Sequence, residues 1–382
     1  MPAQPIRLGI VRCDSHAYWY APFLDEVDPE VLSSYSKDAP TRQSVHYYAC
    51  TVGHYRTMAV EPVPGFVISK VFDRVGDRAI DNPDPEALQY GSYPGRAQAF
   101  CETLRSRPKL CHTIDEMSTD IDAIFIADSS SPGDGADHLA LARPFLQRGI
   151  PCFVDKPFAS TLTDAREMVR LAQEHRTVVM TASLLQYTET LAFFRRRFDE
   201  IGAPGLLTIK GVGYHNAAAI HSIAIAHGLF GYGVESVECM GLSPKHLAGH
   251  WNRANTDHCL EHLLLHYADG RQALIMNTRP DWCPRTSEYF CSAYSNQGAL
   301  HSPGIGDREF MSAGPKVVRL FQQMIRTDQP PIPYEQMLEP VVIIEAARIA
   351  QRDGLRVRLE DVLSQEAAQP CIADSRPGVS HD

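Results

Sequence analysis

The run Ile6–Val11 is short, apolar and β-branched, and it reads as a buried strand. In a parallel α/β sheet the turn after such a strand receives a pyrophosphate. There the pattern G-x-G-x-x-G provides a tight turn, close approach of backbone to phosphate and close helix packing. Here the three positions hold Arg12, Asp14 and Ala17. Asp14 puts a carboxylate where phosphate oxygens would lie, while Arg12 offers a cation that can pair with them. His16 sits in the same turn. A second strand, 65–73, ends on Asp73 with Arg74 beside it, and a third, 121–127, runs into Asp128. A fourth, 151–154, ends at Asp155-Lys156-Pro157. Open α/β sheets bind ligands beyond the C-terminal ends of their strands, which makes Lys156 a candidate ligand group. Burial can lower a lysine pKa and so suit it to proton transfer.

There are 16 histidines. His258, His262 and His266 lie four apart in an expected strand, where even offsets share one face, and read as sheet surface or subunit interface. His46 and His54 fall in an irregular, tyrosine-containing stretch, 33–65, whose length suggests a functional loop. A metal needs three or four convergent N/O ligands. Asp14, His16 and His221, joined by a loop histidine folded over the sheet, would supply such a set as an alternative to a metal-free site.

These groups need a scaffold. Helical spacing follows the strands at 14–31, 96–105, 137–148 and 163–174, and a further strand is expected at 178–180. Strands alternating with helices predict a doubly wound parallel sheet. After about residue 185 the pattern changes to strands at 206–212, 258–267, 272–278 and 288–295, then a helix near 335–352. Consecutive strands predict a mostly antiparallel sheet in an α+β unit. The expected division is 1–157, 158–365 and a flexible tail, 366–382, with the 340–360 segment able to pack back.

The chain has 382 residues, 44% hydrophobic and 21% charged, as an ordinary globular protein does. Its net charge of -10 argues against nonspecific nucleic-acid or anionic-membrane binding. There is no charged-then-apolar leader and no apolar run near the ~18 residues of a membrane span. Ten cysteines are scattered without a C-x-x-C pair. The expectation is a cytoplasmic protein with reduced thiols.

Four segments, in order, carry a resemblance. They are "IDAIFIADSSSP…DHLALARPFLQRGIPCFVDKP" (121–157), "IGAPGLLTIKG" (201–211), "AIHSIAIAHGLFG" (219–231) and "IRTDQPPIPYEQMLEPVVIIEAARIAQRDGLRVRL" (325–359). Together they resemble the Gfo/Idh/MocA oxidoreductases, mostly NAD(P)-dependent sugar and polyol dehydrogenases. The resemblance implies a Rossmann-like α/β domain followed by an α+β domain that forms a homo-oligomer through the open face of its sheet. It implies that Lys156, in place of the E-K-P lysine, contacts the reacting hydroxyl and the nicotinamide ribose, and that His221 is the second catalytic group. The acids that usually accompany that histidine are replaced by Ala217 and Ala224; His215 and Asn216 lie just upstream as substitutes. Asp73 takes the place of the acid on the adenosine ribose, and His138 that of the histidine after the third strand. The expected cofactor-binding set is Gly9, Arg12, His16, Asp73, Asp128, His138 and Lys156, for NAD or NADP.

Two functions follow. One is hydride transfer between NAD(P) and a secondary alcohol of a sugar, polyol or related small molecule. The other is a non-redox lyase, isomerase or hydrolase of a sugar-like substrate, assisted by a divalent metal.

Overall fold

The computed structural model describes residues 4–13, 15–28, 31, 62–73, 96–128, 135–212, 216–240, 260, 262–278 and 289–367. Asp14, Arg74, His46, His54, His215, His258, most of the 33–65 stretch and nearly all of the tail lie outside them.

The first sheet contains β1 (Ile6–Val11), β2 (Phe66–Phe72), β3 (Lys109–Cys111), β4 (Ala123–Ile126), β5 (Cys152–Val154) and β6 (Val179–Met180), in the order β3-β2-β1-β4-β5-β6. Every pairing in it is parallel. The order reverses direction at β1/β4, so the ligand crevice of such a sheet falls at the ends of those strands. Helices α1 (Ser15–Leu24), α2 (Arg96–Thr103), α3 (Ile114–Ser118), α4 (His138–Leu146) and α5 (Leu162–Glu174) link the strands. Thr113 and Thr161 cap α3 and α5 by accepting from Glu116 N and Asp164 N. Strand β6 carries this sheet beyond the boundary expected at residue 157.

A short 3-10 turn, Leu184–Tyr187, and α6 (Glu189–Arg196) lead to the second sheet. Its strands are β7 (Leu206–Val212), β8 (Val234–Met240), β9 (His262–Tyr267), β10 (Gln272–Thr278), β11 (Phe290–Ser295), β12 (Gly298–His301) and β13 (Val357–Arg358). The order is β12-β11-β7-β10-β9-β8-β13. It is mostly antiparallel, as expected, but β7 and β10 pair in parallel, which the succession of strands alone did not anticipate. Helices α7 (Asn216–Phe230) and α9 (Tyr334–Asp353) cover one face, and α10 (Leu359–Ala367) closes the described chain, running into what was expected to be flexible tail.

Helix α8 (Asp307–Thr327) follows strands β7–β12 of the second sheet in sequence yet packs on the first. Its fully buried Phe321 lies 5.7 Å from the ring of Phe125, 5.8 Å from Phe153 and 6.0 Å from Phe66. Gly314 on the same helix lies so close to the Phe23 ring that a Cβ there would overlap it. Among the described residues, no helix is long and apolar enough to cross a membrane.

Candidate active site

Four neighbouring strand ends bring their polar residues to one edge of the first sheet. Arg12 N donates to Phe72 O at 2.9 Å, Ala127 N to Val11 O at 3.0 Å, and Asp155 N to Ile126 O at 3.0 Å. The residues just past the strands are therefore level with one another: Asp73 after β2, Arg12 after β1, Asp128 after β4 and Asp155 after β5.

Arg12 adopts φ 73°, the left-handed region that glycine enters without cost. The turn thus keeps a glycine-type backbone at the first position of the missing motif while projecting a side chain. That side chain is buried across the strand ends. Its Nε donates to Asp128 Oδ1 at 3.1 Å, and its terminal nitrogen lies 3.4 Å from Asp73 Oδ1, which also accepts from Cys13 N at 3.2 Å. Asp73 is therefore already engaged by the chain itself.

His138, fully buried at the start of α4, sets its Nε2 3.2 Å from Asp128 O and its Nδ1 3.3 Å from Phe158 O. It fastens the β4 end to the segment after Lys156. The second carboxylate oxygen of Asp128 is buried without a hydrogen bond, 3.6 Å from His138 Nε2. Gly9 does something else. A Cβ there would overlap Met117 Cε and come within 2.8 Å of Ile124 Cδ1, so this glycine serves strand–helix packing.

Beyond β5, Asp155 is buried and hydrogen-bonded to Nδ1 of His16, in the first turn of α1. Burial pushes its pKa up, but His16 and then Lys156 outweigh that and hold the carboxyl below its ordinary value. Tyr20, one turn further along α1, is fully buried; burial, and next the Asp155 charge, push its phenol well above its ordinary value. Lys156 is half-buried beside this pair.

His221 stands on α7, across from β6. Its Nδ1 is 2.8 Å from Ser183 Oγ and its ring 6.2 Å from that of Tyr289. Ser183 and Lys156 each lie three residues beyond the paired Met180 and Phe153, so His221 reaches the same edge of the sheet as Lys156. The next residue, Ser222, donates to Asn277 Oδ1 at 3.1 Å, and Asn277 Nδ2 donates to Leu260 O at 2.7 Å. Gly211 leaves room for this knot, since a Cβ would overlap both Asn277 Oδ1 and Ser222 Oγ. Ala224 is buried in the core, where an acid would need a partner.

The structure thus joins Arg12, Asp73, Asp128 and His138 directly, joins His16 to Asp155 beside Lys156, and brings His221 to the same edge through Ser183. Ser183, Asn277 and Tyr289 went unnoticed in the sequence because they bear on the site only through partners distant in the chain. Among the described residues no group of three or more His, Cys, Asp or Glu could hold a metal, and His16 and His221 are taken up by different partners. His262 and His266 share a face of β9 away from this site, with His266 Nε2 2.7 Å from Glu238 Oε1.

Residues 88–183 match the model of the GFO_IDH_MocA family, described as an oxidoreductase family with an NAD-binding Rossmann fold. Over that stretch the chain is similar to the family's NAD-binding domain. Solved structures agree with this at the level of fold. A myo-inositol dehydrogenase from Corynebacterium glutamicum superposes with a TM-score of 0.62 at 16% identity, covering 93% of this chain and 99% of that one. An apo scyllo-inositol dehydrogenase from Lactobacillus casei gives 0.62 at 14%, covering 94% and 100%. A myo-inositol dehydrogenase from Lactobacillus casei, in complex with NAD(H) and myo-inositol, gives 0.60 at 15%, covering 93% and 97%. No curated protein matches the chain by sequence. The chain therefore keeps the fold of these proteins along nearly its whole length, with Arg12, Asp14 and Ala17 at the positions of the dinucleotide glycines.

Proposed function

We propose that this protein is an NAD(P)-dependent dehydrogenase that oxidises a secondary alcohol of a sugar, polyol or related small molecule. The observation that carries the reading is the alignment of Arg12, Asp73, Asp128 and Asp155-Lys156 at the C-terminal strand ends, with His221 brought to the same edge.

Two features suit a dinucleotide. The left-handed backbone at Arg12 preserves the turn, and Asp128 keeps one buried carboxylate oxygen without a donor, a place for a ribose hydroxyl. Arg12 supplies a cation for the diphosphate, Asp73 an acid for the adenosine ribose, and Lys156 a contact to the nicotinamide ribose. When bound, the oxidised nicotinamide accepts a hydride. Lys156 and His221 hold the reacting hydroxyl, and Ser183 fixes the His221 ring. The inositol dehydrogenases that share the fold make cyclic polyols the first substrates to try. The described cysteines are free thiols, which suits work in the cytoplasm. The open face of the second sheet is read as the surface that joins copies into a homo-oligomer.

Calorimetric titration with NAD and with NADP, followed by a polyol panel monitored for nicotinamide reduction, tests the reading. Heat with at least one nucleotide and oxidation of at least one polyol are expected. No heat with either overturns it.

A further inference from the structure

The catalytic machinery just proposed leaves the His16–Asp155 pair without a task. We propose that His16, oriented by Asp155, is the general base that takes the proton of the substrate hydroxyl. This rests on the dehydrogenase reading above.

The geometry supports a base here. Asp155 is an acceptor at Nδ1, so the ring proton lies on Nδ1 and the lone pair on Nε2, the side of the ring away from Asp155. A buried carboxylate hydrogen-bonded to one imidazole nitrogen fixes the tautomer and stabilises the imidazolium that forms when the other nitrogen takes a proton. Asp155 is 1% exposed and keeps its charge, whereas His16 is open enough to meet a ligand. At His221 the Nδ1 partner is the hydroxyl of Ser183, a neutral group that orients the ring without the same charge stabilisation. Both rings bear on one edge of the sheet, and a buried carboxylate holds His16.

Asp155 and Lys156 lie at the end of β5. Arg12 and Asp128, at the ends of β1 and β4, are paired with each other. Tyr20 on α1 stays neutral, its phenol pushed up by burial and then by Asp155. Asp155 is thus a positioning residue and His16 the proton acceptor. In the oxidation, the hydroxyl proton passes to His16 Nε2, the carbon gives its hydride to the oxidised nicotinamide, and a C=O bond forms. His16 then carries the proton as an imidazolium facing Asp155 until it is released to water.

Three measurements test this. Long-range nitrogen NMR on the imidazoles is expected to find His16 as the Nδ1–H tautomer in the wild type and shifted toward Nε2–H in Asp155→Asn; an Nε2–H wild type overturns the proposal. His16→Gln is expected to lower kcat by roughly 10²–10⁴-fold with little change in KM. His16→Ala is expected to regain activity with added imidazole, which a merely structural role would not allow. Turnover by wild type with undiminished kcat in His16→Gln overturns the role of His16 alone. A wild type that binds no nicotinamide overturns the dehydrogenase reading, and the redox role of His16 with it.

Discussion

Arg12 and Asp73 meet at 3.4 Å across the ends of β1 and β2, at a point where the arginine backbone holds a conformation natural to glycine. Both side chains are buried, and Asp128 completes the cluster from β4. Two opposed effects decide what the arginine is worth. Returning residue 12 to glycine relieves about 1–2 kcal/mol of left-handed backbone cost. Removing one member of a buried ion pair costs about 3–5 kcal/mol. Arg12→Gly is therefore expected to lose about 1–4 kcal/mol in chemical denaturation. A variant as stable as the wild type would show that the carboxylates do not depend on Arg12.

Asp155 links stability to acid. Its folded-state pKa lies below the ordinary value of 3.8, so its contribution is fully present above that value and is lost as pH falls through the lower, folded pKa. Acid unfolding of the wild type should accordingly steepen below about pH 4. Asp155→Asn is expected to be less stable at neutral pH and to show a shallower loss in that window. Parallel acid titrations of the two proteins, followed by circular dichroism, check it; identical slopes would contradict the pairing with His16.

Ser183 and Lys156 differ in what they do for the reaction. Ser183→Ala removes one hydrogen bond to His221, worth about 0.5–1.5 kcal/mol, and should slow turnover by roughly 2–10-fold. On the proposed function Lys156 contacts the reacting hydroxyl, so Lys156→Ala should cost roughly 10²–10⁴-fold. Steady-state kinetics on the best polyol separates them. A Lys156→Ala variant with near-normal kcat would take Lys156 out of the mechanism.

Gly9 gives a prediction about packing alone. Gly9→Ala drives a methyl into Met117 and Ile124. Overpacking of this kind costs about 1–3 kcal/mol, which thermal unfolding would register. Nucleotide affinity, measured on the folded protein, should not change.

The open face of the second sheet sets Leu264 opposite Leu274, and Met276 opposite His262. These side chains are only half-buried, and Met240 and Phe290 on the same sheet are 43% exposed each. An apolar sheet face of this size calls for a partner. Light scattering at micromolar concentration should find an oligomer, and Leu274→Glu should yield monomer. A monomeric wild type would refute the interface.

What is legible in the sequence follows from the range of each signal. The strands β4 and β5 are continuous apolar runs and β1 is one broken only by Arg7, and the residues that follow them, Arg12, Asp128 and Lys156, fall at the ligand edge by chain order alone. Helix α8 escaped notice because Gly314 and Pro315 read as breakers, although Gly314 is there to admit the Phe23 ring. Strand β8 escaped because Glu235, Ser236 and Glu238 disturb its apolar alternation. The parallel pairing of β7 with β10 is a long-range choice that no local pattern encodes. In the site, the single residues were visible and their partners were not. His16 and Asp155 are 139 positions apart, and Ser183 and His221 are 38 apart.

Phe321 has a bearing on how the molecule is made. The ribosome releases Phe66, Phe125 and Phe153 long before the helix that shelters them. At ordinary synthesis rates roughly 10–30 s pass between the emergence of Phe153 and that of Phe321. For that interval the nascent first sheet presents an uncovered aromatic patch, a surface that chaperones bind and that aggregates in their absence. Truncation between the end of β6 and residue 307 is therefore expected to yield an aggregation-prone fragment, which light scattering would register.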